Sequence, residues 1–297
     1  MSASAELFAS SGDLEICYQT FGDPSGEPLM LVMGLGGPMI WWDDALCERI
    51  AAEGFHVARF DNRDTGRSTK LDQVVKRADV VNAFLRKPER VPYSLAEMGS
   101  DAFAVMDALG WGSAHVVGIS MGGMIAQTMA VSQPERVRSL VSMSSTSGKR
   151  TVGWQSPKML ALLAEGTGDD LDSYVHRAMR SWQIIASPNY PPDLERLRQR
   201  AIDTYRRGAS LPGQMRHIMA VASQPDRTRG LSRLHLPVTV MHGRQDVMVH
   251  YSGGRATAAA VPGSQLLILN GWGHDLPPDL YDTFANTFKV TAARAVG

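Results

Sequence analysis

Three residues far apart in the chain have the types and the settings that acyl transfer requires. Ser120 lies in Gly118-Ile119-Ser120-Met121-Gly122, a G-x-S-x-G pattern. An apolar run precedes it and a helical stretch follows, the strand–turn–helix setting of a nucleophile elbow. So sharp a turn leaves little room beside the serine, and glycines 118 and 122 supply that room. The helix start also directs partial positive charge toward an oxyanion forming there. A serine hydroxyl needs a base at neutral pH. Of the eight histidines, His274 is the one that follows the last strand-like run, in Asn270-Gly271-Trp272-Gly273-His274-Asp275. His56, His115, His235 and His242 lie at strand ends and read as structural, while His176 and His217 fall in a separate helical segment.

The third member must be a carboxylate at the end of another strand. The run Val137 to Met143 leads into Ser144-Ser145-Thr146-Ser147, which has no acid, whereas Val238 to His242 leads into Gly243-Arg244-Gln245-Asp246. Asp246 is therefore the expected orienter of His274, fixing its tautomer and stabilising the imidazolium. Asp275 is too local for that task and is expected to face solvent or cap the last helix. Acyl transfer also needs two donors aimed at the carbonyl oxygen. The backbone N–H groups of Met121 and of Leu35, in the loop Met33-Gly34-Leu35-Gly36-Gly37, have the right positions.

These residues need a scaffold that gathers strand ends on one edge. Short apolar runs alternate with helical stretches, which predicts an α/β architecture: a mostly parallel central sheet with helices on both faces. Strands are expected at Leu14 to Phe21, Pro28 to Met33, Phe55 to Phe60, Ala114 to Gly118, Val137 to Met143, Leu236 to His242 and Gln265 to Leu269. Helices are expected at Trp41 to Ala52, at Ser94 to Leu109 with Ser94 and Glu97 at capping-box spacing, after Ser120, and at Tyr281 to Ala293. From Ser147 onward the rhythm becomes helical, with proline-containing breaks. The expected division is a first core segment 1–148, a helical cap 149–234 over the carboxyl edge of the sheet, and a second core segment 235–297.

Bulk composition narrows the class. The chain has 297 residues, 44% hydrophobic and 20% charged, with thirty basic residues balancing thirty acidic ones. That balance gives no global field for nucleic acid or an anionic membrane. Two cysteines, Cys17 and Cys47, are too few for a disulfide framework or a zinc site. With no apolar run of membrane-spanning length and no signal-peptide pattern, a cytoplasmic protein is expected. Peripheral membrane contact and the oligomeric state stay open. No phosphate loop or metal-ligand cluster is present in the sequence, so no metal and no cofactor are expected.

The chain resembles the capped α/β hydrolases and is most similar to the group that includes aclacinomycin methylesterase and related carboxylesterases. The resemblance rests on Val32-Met33-Gly34, on Arg59-Phe60-Asp61-Asn62-Arg63-Asp64-Thr65-Gly66-Arg67-Ser68, on Val117 to Gly123, on His242-Gly243-Arg244-Gln245-Asp246 and on Gly271-Trp272-Gly273-His274. It implies a serine hydrolase with the chain order Ser120, Asp246, His274. Many members carry a histidine before the oxyanion glycine, where this chain has Met33, which puts the geometry of that loop in question. The Asp61 to Ser68 turn is expected to be structural, with Arg63 and Asp64 paired to each other.

The cap segment, counted over 149–233, holds fourteen Lys and Arg against eight Asp and Glu, an excess typical of a solvated helix face. Trp154, Met159, Met179, Trp182, Met215 and Met219 are candidate pocket residues, since methionine adapts to varied apolar shapes. The expected partner is a small-molecule ester, medium-sized and apolar or aromatic. Thioester hydrolysis, carbon–carbon bond hydrolysis and cofactor-free haloperoxidase or perhydrolase chemistry use the same triad, and a ligand receptor on this fold is the non-enzyme alternative.

Overall fold

Apolar runs of strand length form eight strands: β1 (Leu7–Ser11), β2 (Leu14–Phe21), β3 (Glu27–Val32), β4 (Phe55–Phe60), β5 (Ala114–Ile119), β6 (Val137–Met143), β7 (Val238–Gly243) and β8 (Gln265–Leu269). The computed structural model describes residues 3–85, 91–157 and 170–295. The strands make one sheet in the order β1-β2-β4-β3-β5-β6-β7-β8. β1 pairs antiparallel with β2 and β2 antiparallel with β4, and every other pair is parallel. β1 is half exposed and was not expected from the sequence. It forms because Gly12, at φ 59, closes a tight turn back onto β2.

The buried strands send alternate residues to opposite faces, as the period of two demands. Met30 and Val32 of β3 and Val116 of β5 join a core with α3 (Leu95–Ala108) and α4 (Met121–Ser132). Leu29, Leu31, Val117 and Ile119 join a second core with α1 (Asp44–Ala52) and a C-terminal helix, Tyr281–Ala293. The architecture is therefore α/β, with helices on both faces of a mostly parallel sheet. The capping box at Ser94 and Glu97 is formed. The first helix begins later than the pattern suggests, because Met39–Trp41 is a 3-10 turn and Asp43 caps α1 by accepting from the Ala45 N–H.

α2 (Arg77–Phe84) precedes α3. Between β6 and β7 the chain forms α5 (Leu171–Ile185), α6 (Leu194–Arg206), α7 (Leu211–Ser223) and the short α8 (Thr228–Leu231); α9 (Ser252–Ala260) and α10 (Tyr281–Ala293) follow. Among the described residues no helix is long and apolar enough to cross a membrane.

The turn from Asp61 to Ser68 ties this insertion to the sheet. Asp61 accepts the Met39 N–H at 2.7 Å and the Arg67 N–H at 2.9 Å, and pairs with Arg207 of the insertion at 2.7 Å. Arg63 and Asp64 do not pair with each other. Arg63 bonds Asp101 on α3, while Asp64 receives the Arg216 guanidinium from α7 at 2.7 and 2.8 Å and the Tyr93 hydroxyl at 2.6 Å. Asp64 has a positive φ of 68, and this turn sends the two neighbouring side chains to separate partners.

Burial alone would raise the Asp64 carboxyl, but bonds from Arg216, Tyr93 and the Leu71 N–H outweigh it and hold it below its usual 3.8. A carboxylate depressed on folding stabilises the fold above its unfolded value, and that contribution is lost as pH falls through the folded value. Asp64→Asn is expected to destabilise the protein by about 3–5 kcal/mol at pH 7, since it leaves Arg216 buried without its counter-charge. The gap to wild type should narrow at pH 3. Denaturant titrations at both pH values test this, and a gap of equal size at both would refute the electrostatic account.

Candidate active site

The elbow has the strained backbone that its sequence requires. Ser120 sits at φ 58 and ψ −124, directly between β5 and α4. This is a region that L-residues seldom occupy, and such strain concentrates at functional sites. Its N–H is held by the Met143 carbonyl at 2.9 Å, and its carbonyl accepts from Ser145 Oγ at 2.8 Å. The two flanking glycines are obligatory. A Cβ on Gly118 would collide with the Gly122 carbonyl, and one on Gly122 would collide with the Val32 carbonyl.

Asp246 and His274 follow the neighbouring strands β7 and β8 on the same carboxyl edge of the sheet. His274 Nδ1 donates to Asp246 Oδ2 at 2.7 Å. Asp246 Oδ1 accepts the N–H groups of Met248 and Val249 at 2.9 and 2.8 Å, so both carboxylate oxygens are engaged. Burial would raise this carboxyl, but the His274 charge and the hydrogen bonds from His242 and His274 prevail and hold it below the usual range. It is a fixed anion facing an imidazole. His242 donates from Nε2 to the Val249 carbonyl at 2.8 Å and buttresses the same loop. Among the described residues none hydrogen-bonds Ser120 Oγ, and catalytic bonds of this kind often tighten only around bound substrate.

Asp275 does not face solvent, nor does it cap the last helix. It is buried, accepting from both the hydroxyl and the backbone N–H of Ser187, which lies just after α5. Burial raises its carboxyl above the usual range. The Ser187 hydroxyl also accepts the Gly273 N–H at 2.9 Å, and the His274 N–H donates to the Ile185 carbonyl at 2.8 Å. The end of α5 therefore grips the loop that carries His274.

The loop after β3 is a turn closed by the Gly37 N–H on the Gly34 carbonyl at 3.3 Å, with Gly36 at φ 65. Positive φ at the third position is what a type II turn demands of its glycine. A Cβ on Gly34 would lie 3.2 Å from Ser120 Cβ, so the loop backbone passes directly beside Ser120. Among the described residues the N–H groups of Leu35 and Met121 have no acceptor. Asn62 steadies the start of the loop by donating to the Met33 carbonyl at 2.9 Å.

Sequence reading passed over His217. This fully buried residue of α7 bonds the Gly36 N–H through Nδ1 at 3.1 Å and the Arg63 carbonyl through Nε2 at 2.8 Å. It lies 181 positions from Gly36, so no local pattern points to it. The one available signal was the missing histidine at position 33.

The candidate pocket residues are dispersed. Trp182 is buried and tilts against Trp41 at 5.2 Å between ring centroids. It forms a small core with Ile185 and Leu197, against which Met179, Val247 and Met248 pack. Met215 is half-buried and Met219 buried, both on α7. Trp154 is 55% exposed and stacks on His250 at 4.2 Å. Met159 lies outside the described residues.

Comparison with known proteins agrees with the fold. The family model described as alpha/beta hydrolase fold matches residues 27–279. The rhodomycin D methylesterase of Streptomyces sp. (strain C5) is 29% identical over 295 residues, covering 92% of this chain and 93% of that protein. The rhodomycin D methylesterase of Streptomyces peucetius is 26% identical, covering 93% and 94%. A crystal structure of a hydrolase from Pseudomonas aeruginosa PA01 superposes with a TM-score of 0.71 at 22% identity, covering 99% of each chain. With the elbow, the sheet order and a match across most of its length in agreement, the chain belongs to the α/β hydrolase fold family.

Proposed function

We propose that this protein is a serine carboxylic ester hydrolase whose substrate is the methyl ester of a medium-sized, apolar or aromatic acid. The observation that carries the reading is the hydrogen bond between buried Asp246 and half-buried His274, on the same sheet edge as the Ser120 elbow. The kinship with two methylesterases over more than nine-tenths of the chain supports the choice of ester and of its small alcohol.

In this mechanism Ser120 Oγ attacks the ester carbonyl carbon and passes its proton to His274 Nε2. The carbonyl oxygen becomes an oxyanion held by the Leu35 and Met121 N–H groups, at the positive end of α4. Asp246 holds the resulting imidazolium through its Nδ1–H. The intermediate collapses, the alkoxide leaves with the proton from His274, and methanol departs. Water then attacks the acyl-enzyme as His274 takes its proton, and the second intermediate collapses with that proton passing from His274 to Ser120 Oγ, which frees the serine and the acid product. The apolar surface around Trp41, Met179 and Trp182 would receive the acyl part.

The test is methanol release from aromatic methyl esters, beside a p-nitrophenyl series from acetate to octanoate, by wild type and Ser120→Ala. Ser120-dependent turnover with a preference for the small alcohol is the expected result. Turnover confined to thioesters would move the reading to a thioesterase, and turnover of no acyl substrate would reject it.

A further inference from the structure

Met33 stands where a loop-organising histidine is expected, yet the oxyanion loop has an imidazole attached to it from elsewhere. The geometry points to His217, on α7 of the insertion, as the positioning residue of the oxyanion hole, so that the helical insertion is a working part of the catalytic apparatus. This role rests on the ester-hydrolase reading above.

The hydrogen bonds define the state of the ring. The Arg63 carbonyl can only accept, so His217 Nε2 carries the proton; the Gly36 N–H can only donate, so Nδ1 is the bare acceptor. The ring must be neutral to do both. Burial pushes it down to about 4, and the neighbouring Arg63 and Arg216 cations act in the same direction, against the hydrogen bond to the Arg63 carbonyl and the Asp64 charge. Tyr93 packs edge-on against it at 6.2 Å.

The consequence lies in the turn. In a type II turn the peptide between the second and third residues is the one that flips to give other turn types, and here it is the Leu35–Gly36 peptide. With glycine at the third position, backbone sterics offer little resistance to that flip. His217 holds this peptide by its N–H, and Gln214, one turn earlier on α7, fills the space over Gly36 where a Cβ would lie 2.8 Å from its Cγ. With the Gly36 N–H taken, the Leu35 N–H, one peptide earlier, has no acceptor among the described residues and stays available beside Ser120. α7 is itself anchored through Arg216 to Asp64, in the turn whose Asn62 holds the Met33 carbonyl. Loop and insertion thus share one foundation.

Two substitutions separate the two bonds. In His217→Asn the side-chain oxygen falls near the place of Nδ1 and can accept from Gly36. In His217→Gln the amide nitrogen falls near the place of Nε2 and can bond only the Arg63 carbonyl. The experiment compares kcat and KM of wild type, His217→Gln and His217→Asn on one ester, normalised to Ser120 sites titrated with a fluorophosphonate. His217→Gln should lose roughly 10- to 100-fold in kcat with KM little changed, as for a displaced catalytic group. His217→Asn should recover most of that loss. Equal losses in both variants, or none in His217→Gln, would overturn the role. If the glutamine variant does not fold, amide exchange in wild type decides: slow at Gly36 and fast at Leu35 supports it, and fast at both overturns it. An active, Ser120-dependent wild type with His217→Gln at full rate removes this role alone. A wild type that turns over no ester removes the ester reading and this role with it.

Discussion

Ser120→Ala is expected to lower kcat for ester hydrolysis by roughly 10⁴-fold or more, because nucleophile and base act as a unit. The residual rate would come from the oxyanion donors and substrate binding alone. The substitution leaves the fold almost untouched. Alanine adopts the same φ 58 at the same cost, and among the described residues every hydrogen bond formed at position 120 is through the backbone N–H or carbonyl. Wild type and variant should therefore melt within a few degrees of each other. Ser120→Gly, which relieves the positive φ, should melt higher by the equivalent of about 1 kcal/mol while being as inactive. Steady-state kinetics with thermal melts measures both effects. A Ser120→Ala enzyme within tenfold of wild type would mean that another group attacks the carbonyl.

Asp246→Asn should cost roughly 10⁴-fold in kcat, by a route that the hydrogen bonds define. Oδ1 accepts two backbone N–H groups, so the asparagine oxygen must stay there and its NH₂ must turn toward His274. An NH₂ donates, so His274 Nδ1 would have to accept, leaving the proton on Nε2. That tautomer cannot take a proton from Ser120. The wild-type carboxylate is held below the usual range, so it stays charged at any pH where a neutral imidazole serves as base. Asp246→Ala would remove the acceptor as well and expose the two N–H groups, so it should lose stability where the asparagine variant does not. Nitrogen chemical shifts of the imidazole would report the exchanged tautomer. Full activity in Asp246→Asn would require another acid to orient His274. Asp275 is the nearest in sequence, but the end of α5 already engages it.

Much of the candidate site's geometry was legible without coordinates because its parts obey local rules. Gly118 and Gly122 are glycine because the elbow brings their Cα positions against carbonyl oxygens. Asp246 and His274 follow directly on strands, and parallel strands deliver their carboxyl ends to one edge whatever lies between them. What failed were readings about partners. Arg63 and Asp64 are adjacent in sequence and opposite in charge, but a positive φ at Asp64 parts them. Asp275 read as facing solvent or capping the last helix, yet Ser187 covers it from 88 positions away.

The sequence alone therefore determined seven of the eight strands, the helices that flank them most closely, the elbow, and the candidates for nucleophile, base and orienter. These follow from periodicity, glycine sterics and short-range chemistry, which act over a few residues. Tertiary structure decided how α5 and α7 of the insertion meet the loops of the candidate site. The His274 loop rests on Ile185 and Ser187, and the turn beside Ser120 rests on His217. Each contact joins groups that only packing brings together. A buried N–H or carbonyl must be satisfied, but nothing in a linear pattern says which distant side chain will do it.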